Sequence, residues 1–222
     1  MNSVERIPFI SIRKYSIEEL IKRSRELYMY MNKRRSLRHF SPESIPEEVM
    51  RNCIMAAGTA PSGANLQPWS FILVKDPGMK RKIRIEAEEI ERSFYREKIS
   101  EEWRCALESL GTDYKKPFLE TAPYLIVIFV QKYGISKSGS KVRHYYPHES
   151  VGIATGFLIT ILHQLGISSL TYTPRPMNFL NRLLKRPENE SPYLILVVGN
   201  AAEGATVPRI TKKSFHEICT IV

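Results

Sequence analysis

The chain has 222 residues, 43% hydrophobic and 25% charged, which allows one domain with a substantial core and an ordinary polar surface. No run approaches the roughly 18 to 20 apolar residues of a membrane span, and residues 1–15 lack the apolar stretch of a secretory leader, so a cytoplasmic protein with no membrane partner is expected. The three cysteines, Cys53, Cys105 and Cys219, lie too far apart in sequence for a metal-binding pair and read as buried reduced thiols, while the net charge of +10 favours an anionic partner.

Residues 1–15 read as an extended arm. Ser16-Ile17-Glu18-Glu19 is a capping box, and Ile17, Leu20, Ile21, Leu27, Tyr28 and Met31 continue at helical spacing. A second box, Ser44-Ile45-Pro46-Glu47, opens a helix with Pro at its first position, running through Val49, Cys53, Ile54 and Ala57 to the break at 58–63. Runs at 70–75, Tyr124–Gln131, 168–173 and 193–199 are rich in Ile, Val, Leu or aromatic residues and read as buried strands. Residues 150–165 are apolar on nearly all sides and predict a central buried helix. Its Gly152 and Gly156 permit close approach, either within one subunit or across a dimer seam. Residues 76–117 are charged and helical with little apolar surface, as in a peripheral excursion or a lid. The tail beyond Gly199 still carries Ile210, Phe215, Ile218 and Ile221, which suits an arm packed on another subunit. The sum is a mixed α+β domain.

Dinucleotide, triphosphate and nucleophile-elbow signatures are absent. His144, His148 and Glu149 resemble a metal triad, but Pro147 interrupts the spacing and no further ligand is evident, so no metal is expected. Basic residues mostly alternate with acids, as on a solvated helix face. The exception is Arg34-Arg35-Ser36-x-Arg38, whose forked donors and hydroxyl suit a phosphate; alone, it reads rather as a solvated helix end. The segment Pro61-Ser62-Gly63-Ala64-Asn65-Leu66-Gln67-Pro68-Trp69 adds a turn and amide groups suited to the edge of a planar heteroaromatic ring.

The pair Arg-Arg-Ser-x-Arg and Pro-Ser-Gly-x-Asn-x-Gln-Pro-Trp resembles the FMN-binding signature of the nitroreductase superfamily. The string from Ala57 to Ala64, together with His144-Tyr145-Tyr146, Thr171-Tyr172-Thr173-Pro174 and Ala205-Thr206-Val207-Pro208, is similar to the iodotyrosine deiodinase branch. The resemblance implies a nitroreductase-like α+β fold: a central mixed sheet flanked by helices in a domain-swapped homodimer. Residues 1–32 would form an N-terminal arm and helix, and 33–222 the FMN-binding catalytic domain, with a lid at about 86–117. It further implies FMN held by Arg34, Arg35, Ser36 and Arg38 with Lys212 of the C-terminal arm, and by Pro61, Ser62 and Gly63 from the other subunit. Thr171, Tyr172 and Thr173 would border the flavin, with Thr173 bonded to N5. The Ala64 N–H would hold a phenolate oxygen, and Trp103 would close over an aromatic ring. Glu91, Tyr95 and Lys116 would grip the substrate's amino-acid end.

The chemistry of those three residues fits without the resemblance. A zwitterion needs an anion for its ammonium and a cation for its carboxylate. Tyr95, four residues after Glu91, shares its helical face. In isolation, Glu91 and Lys116 read as ordinary surface charges. Three departures stand out. Asn65-Leu66-Gln67 is the form typical of nitroreductases generally; Tyr172 stands where some relatives have a small hydroxyl residue; and Lys212 stands where relatives often carry an arginine. The implied activity is reductive dehalogenation of a halogenated tyrosine, with NAD(P)H or a reductase as electron donor. The alternative is a broad NAD(P)H-dependent nitroreductase. A nucleic-acid partner is not expected, since no basic and aromatic stripe is left over.

Overall fold

The computed structural model describes residues 6–10, 13–97, 112–136 and 138–222, and the chain divides into two units, Met1–Arg34 and Arg35–Val222. The first unit carries helix α1, Ile17–Asn32, with Ser16 at its N-cap. The Ser16 hydroxyl accepts from the Glu19 N–H at 3.2 Å. That is the Ser16 half of the expected box, without the reciprocal bond from the Glu19 side chain, and the helix buries no residue: Ile17, Leu27 and Tyr28 all stand exposed.

The second unit is built on a four-stranded sheet in the order β1-β2-β6-β5. Its strands are β1, Trp69–Val74; β2, Tyr124–Gln131; β5, Ser168–Tyr172; and β6, Glu190–Gly199. The three strand pairs are antiparallel, and the parallel component is a single bridge from Ser36 to Ser169. Between β2 and β5 lies a small hairpin of β3, Tyr133–Ile135, and β4, Lys141–Arg143, which the sequence reading missed. Its signal was faint, three residues a side around the positive-φ Gly139.

Strand β2 explains the architecture. Tyr124 to Val130 are all buried, and alternate residues serve two different cores. Leu125, Val127 and Phe129 face a layer that includes α3 (Pro77–Glu97), α4 (Phe118–Thr121) and α6 (Phe179–Leu183). Ile126, Ile128 and Val130 face α2 (Glu47–Ala57) and α5 (Pro147–Gln164) through Met50, Cys53, Val151, Leu158 and Leu162. Period-two side chains on a doubly covered strand are thus all apolar. Each such aliphatic side chain contributes roughly 1.5–3 kcal/mol relative to exposure.

Four expectations need correction. Pro46 itself is the N-cap of α2, with no side-chain cap bond, so Ser44 closes no box; Glu47 pairs instead with Arg51 and Lys75. Pro147 does not interrupt a helix but begins α5 at its first turn, after Tyr146 in the left-handed conformation. Helix α5 is covered on one side only. Val151, Ala154, Leu158 and Leu162 are buried, whereas Ile153 and Phe157 are 44% and 41% exposed and Gly156 faces open space. An all-round apolar helix has two faces to cover, and this chain's sheet covers one. The segment after β1 is also better anchored than its composition suggests. Ile83 and Ala87 of α3 are completely buried against the sheet, with Met79 and Ile90 packed beside them.

Of the cysteines, Cys53 is buried, and burial pushes its thiol up, whereas Cys219 is exposed; both are free. Cys105 lies outside the described residues. The C-terminal segment ends in a short helix, α7 (Phe215–Ile218), opened by a reciprocal Ser214–Glu217 capping box. Phe215, Ile218 and Ile221 remain exposed on it. Among the described residues, no helix is long and apolar enough to cross a membrane.

Candidate active site

Helix α3 carries the first half of the site. Its inner stripe, Met79, Ile83, Ala87 and Ile90, packs on the sheet, so Glu91, Phe94 and Tyr95 follow at the end that overhangs β5. Two cationic side chains secure its base. Lys80 donates to the carbonyls of Glu120 and Ala122 at 2.9 and 2.8 Å, near the C-terminus of α4. Arg84 bonds both Glu120 and Glu88. The Glu88 carboxylate in turn accepts from the backbone N–H of Lys116 at 2.7 Å, fixing the entry to α4.

Glu91, Tyr95 and Lys116 therefore meet, together with Arg38, Thr171, Tyr172 and Thr173, around a cavity of about 370 Å³. Lys116 is only 3% exposed. Its ammonium donates to Thr112 Oγ1 at 3.3 Å and to the Asp113 carbonyl, and lies 3.6 Å from Glu91 Oε2. Burial pulls its pKa below the usual lysine range, opposed by the Glu91 carboxylate. The Tyr95 hydroxyl donates to the Thr112 carbonyl at 3.3 Å; burial, then Glu91, pushes its phenol up. Tyr172 is held edge-on against Phe118, its phenol driven far up by burial and then by Glu91. No hydrogen-bond partner for its hydroxyl lies within bonding geometry among the described residues, although Glu91 is close enough to act on it.

The cavity thus presents an anion and a cation that already offset each other, which suits a ligand carrying both charges. On the β5 side, Thr171 and Thr173 are exposed and border the same space, and Arg38 adds fixed positive charge. Arg35 is tied to the Pro208 carbonyl, and Ser36 bridges to Ser169 at the edge of β5. Arg34 belongs to the N-terminal unit, where its N–H bonds the Met31 carbonyl.

Pro61, Ser62, Gly63 and Ala64 do not line this cavity. They form a turn whose 3-10 segment, Gly63–Asn65, rests on the start of α5. The Gly63 N–H donates to Ser150 Oγ at 3.4 Å, and a Cβ on Gly63 would stand 2.6 Å from the Tyr145 carbonyl oxygen. Ala64, Asn65 and Gln67 all adopt positive φ, a conformation costly for residues with a side chain. The Ser62 hydroxyl accepts from the Gln67 N–H at 3.0 Å and braces the turn. Lys212 is exposed on the C-terminal segment and lines no part of the cavity. Trp103 lies outside the described residues. His144 is buried, with Nδ1 2.8 Å from the Gln131 carbonyl.

Sequence reasoning missed Ile90, Phe94, Thr112 and Arg175 as cavity-lining residues. Helical spacing from Glu91 would have found Phe94 three residues on, and Ile90 lies four residues before Phe94 on that face. Nothing local marks Arg175.

The doubly covered antiparallel sheet and a cleft beneath α3 define a class of protein, and the chain belongs to the nitroreductase family, whose sequence profile matches residues 31–200. The iodotyrosine deiodinase of Haliscomenobacter hydrossis is 49% identical over 207 residues, 93% of either chain. Iodotyrosine deiodinase 1 of Mus musculus is 44% identical over 99% of this chain and 77% of its own. A crystal structure of oxidized iodotyrosine deiodinase bound to FMN and 3-iodo-L-tyrosine matches with a TM-score of 0.76 at 30% identity, over 88% of this chain and 100% of that one. A BluB-like flavoprotein from Clostridium difficile, 22% identical with a TM-score of 0.68 over 88% and 98% of the two chains, shares the fold. Within the family, the chain falls in the iodotyrosine deiodinase branch.

Proposed function

We propose that the protein is an FMN-dependent reductive dehalogenase of halogenated tyrosines, releasing halide and tyrosine. The observation that carries the reading is the convergence of Glu91, Tyr95 and Lys116 in one cavity bordered by Thr171 and Thr173. Glu91 takes the substrate ammonium, Lys116 its carboxylate, and Tyr95 adds a hydroxyl. Replacing a carbon–halogen bond by carbon–hydrogen consumes two electrons and a proton. Bound FMN supplies those electrons.

The residues present fit that cofactor: Arg38 brings a forked cation and Thr173 is an exposed hydroxyl-bearing residue at the same space. In this reading Arg34, Arg35, Ser36 and Lys212 would complete the phosphate-binding set, and Thr173 would border the flavin at N5. Pro61, Ser62 and Gly63 reach FMN from a second subunit, with the Ala64 N–H on the substrate's phenolate oxygen. A homodimer is supported by that turn's absence from the cavity lining and by the exposed apolar faces of α5 and the C-terminal segment. NAD(P)H or a reductase delivers the electrons. The cytoplasm is the proposed setting, supported by the free thiols of Cys53 and Cys219.

The test is titration of the purified oxidised protein with 3-iodotyrosine, followed by quenching of flavin fluorescence, with Glu91→Ala and Lys116→Ala in parallel. Saturable quenching lost in both variants is expected. Bound FMN that ignores the amino acid would leave a broad nitroreductase, and failure to bind FMN at all would overturn the whole reading.

A further inference from the structure

The side chain of Tyr172 turns the opposite way from its neighbours. Thr171 and Thr173 are exposed, whereas Tyr172 is 8% exposed at the inner wall of the cavity. Strand alternation at the end of β5 dictates this. The ring is fixed: it meets Phe118 edge-on at 5.7 Å and 85°, with the Lys116 ammonium 5.8 Å from its centroid. Its hydroxyl, however, makes no hydrogen bond of proper geometry among the described residues, although the Glu91 carboxylate is near enough to act on it. Unsatisfied buried hydroxyls are uncommon and destabilising, so one beside a cavity calls for a ligand.

The neighbouring groups determine what that ligand must bring. Burial and the charge of Glu91 keep the Tyr172 phenol protonated, hence a donor. Lys116 is a donor only. The Tyr95 hydroxyl is already engaged with the Thr112 carbonyl. Two donor side chains lining one cavity, one of them charged, call for an acceptor with two oxygens and negative charge.

We infer that Tyr172 Oη and Lys116 Nζ together form a carboxylate cradle, with Tyr172 a specificity-determining donor to the substrate's carboxylate, leaving Glu91 for the ammonium. This deepens the proposed function and rests on it. It also accounts for the placing of Lys116 beside Glu91. Lys116 stands 3.6 Å from Glu91 as a loose pair, and an arriving zwitterion exchanges partners with both. Its carboxylate takes the Lys116 and Tyr172 donors while its ammonium takes Glu91, so no buried ion is left alone.

The experiment uses Tyr172→Phe, which keeps the ring and removes only the hydroxyl. The FMN-bound wild type and variant are titrated with 3-iodotyrosine and with 3-iodotyramine, its decarboxylated analogue, and the ligand-free proteins are melted. Affinity for 3-iodotyrosine is expected to fall on the order of ten- to a hundredfold, as for loss of a hydrogen bond to a charged group. Affinity for 3-iodotyramine should be unchanged and the melting temperature equal or higher, because an unsatisfied buried hydroxyl has been removed. Unchanged 3-iodotyrosine affinity overturns the inference. An equal loss for both ligands overturns it too, since the hydroxyl would then act through Glu91, as does a lower melting temperature, which would make its role structural. If 3-iodotyramine binds neither protein, the 3-iodotyrosine and melting comparisons decide. A wild type that fails to bind 3-iodotyrosine refutes the proposed function instead, and that shows before any variant is compared.

Discussion

Lys80 is a buried cation far from the reacting end of the cavity, yet the helix bearing Glu91 and Tyr95 depends on it. It is 6% exposed, and its ammonium donates to the Glu120 and Ala122 carbonyls near the C-terminus of α4. Those are acceptors that a helix end leaves without partners. Lys80→Met preserves the aliphatic stem and strands both carbonyls. Each buried unsatisfied acceptor costs about 1–3 kcal/mol, and removing a desolvated charge returns part of this, so a net loss of about 2–3 kcal/mol is expected. At about 2–4 °C per kcal/mol for a chain of this size, the melting temperature should fall by about 4–12 °C. Thermal unfolding by circular dichroism measures this, with the exposed Arg81→Met on the same helix as a control that should stay within about 0.5 kcal/mol of wild type. Burial lowers the Lys80 pKa. Between that depressed value and the unfolded value near 10.5, the unfolded chain binds more protons, so wild-type stability rises with pH there. The gap between wild type and Lys80→Met should therefore widen towards alkaline pH. A variant that melts with the wild type would refute the claim that these two bonds hold the base of α3.

Three further outcomes follow from the packing. Gly63→Ala places a Cβ 2.6 Å from the Tyr145 carbonyl and must displace the turn; FMN should be lost more readily on gel filtration while far-ultraviolet dichroism is unchanged. Glu190 is buried and receives two bonds from Arg186, at 2.7 and 2.9 Å, so Arg186→Met should cost about 3–5 kcal/mol in urea unfolding, and adding Glu190→Gln should recover part of it. Tyr124→Phe removes the 2.8 Å bond from its hydroxyl to the buried Ile45 carbonyl and should cost about 1–2 kcal/mol by the same assay.

The four strands of the main sheet, the Ser16 cap of the first helix and the shared face of Glu91 and Tyr95 were legible in the sequence because each rests on information held within a few neighbouring positions. The unbroken apolar run of β2 marks a strand covered on both faces, and Ser16 meets Glu19 three residues on. Glu91 and Tyr95 share a helical face by spacing alone. Other features required the assembled structure. The burial of Ile83 and Ala87, the one-sided covering of α5 and the pairing of Lys116 with Glu91 depend on residues distant in the chain. So does the solitary hydroxyl of Tyr172. Period and capping are local properties of a backbone, and the sequence by itself determines them. Which side chains lose water, and which partner each polar atom then finds, is decided by how the layers pack, and only the tertiary structure settles it.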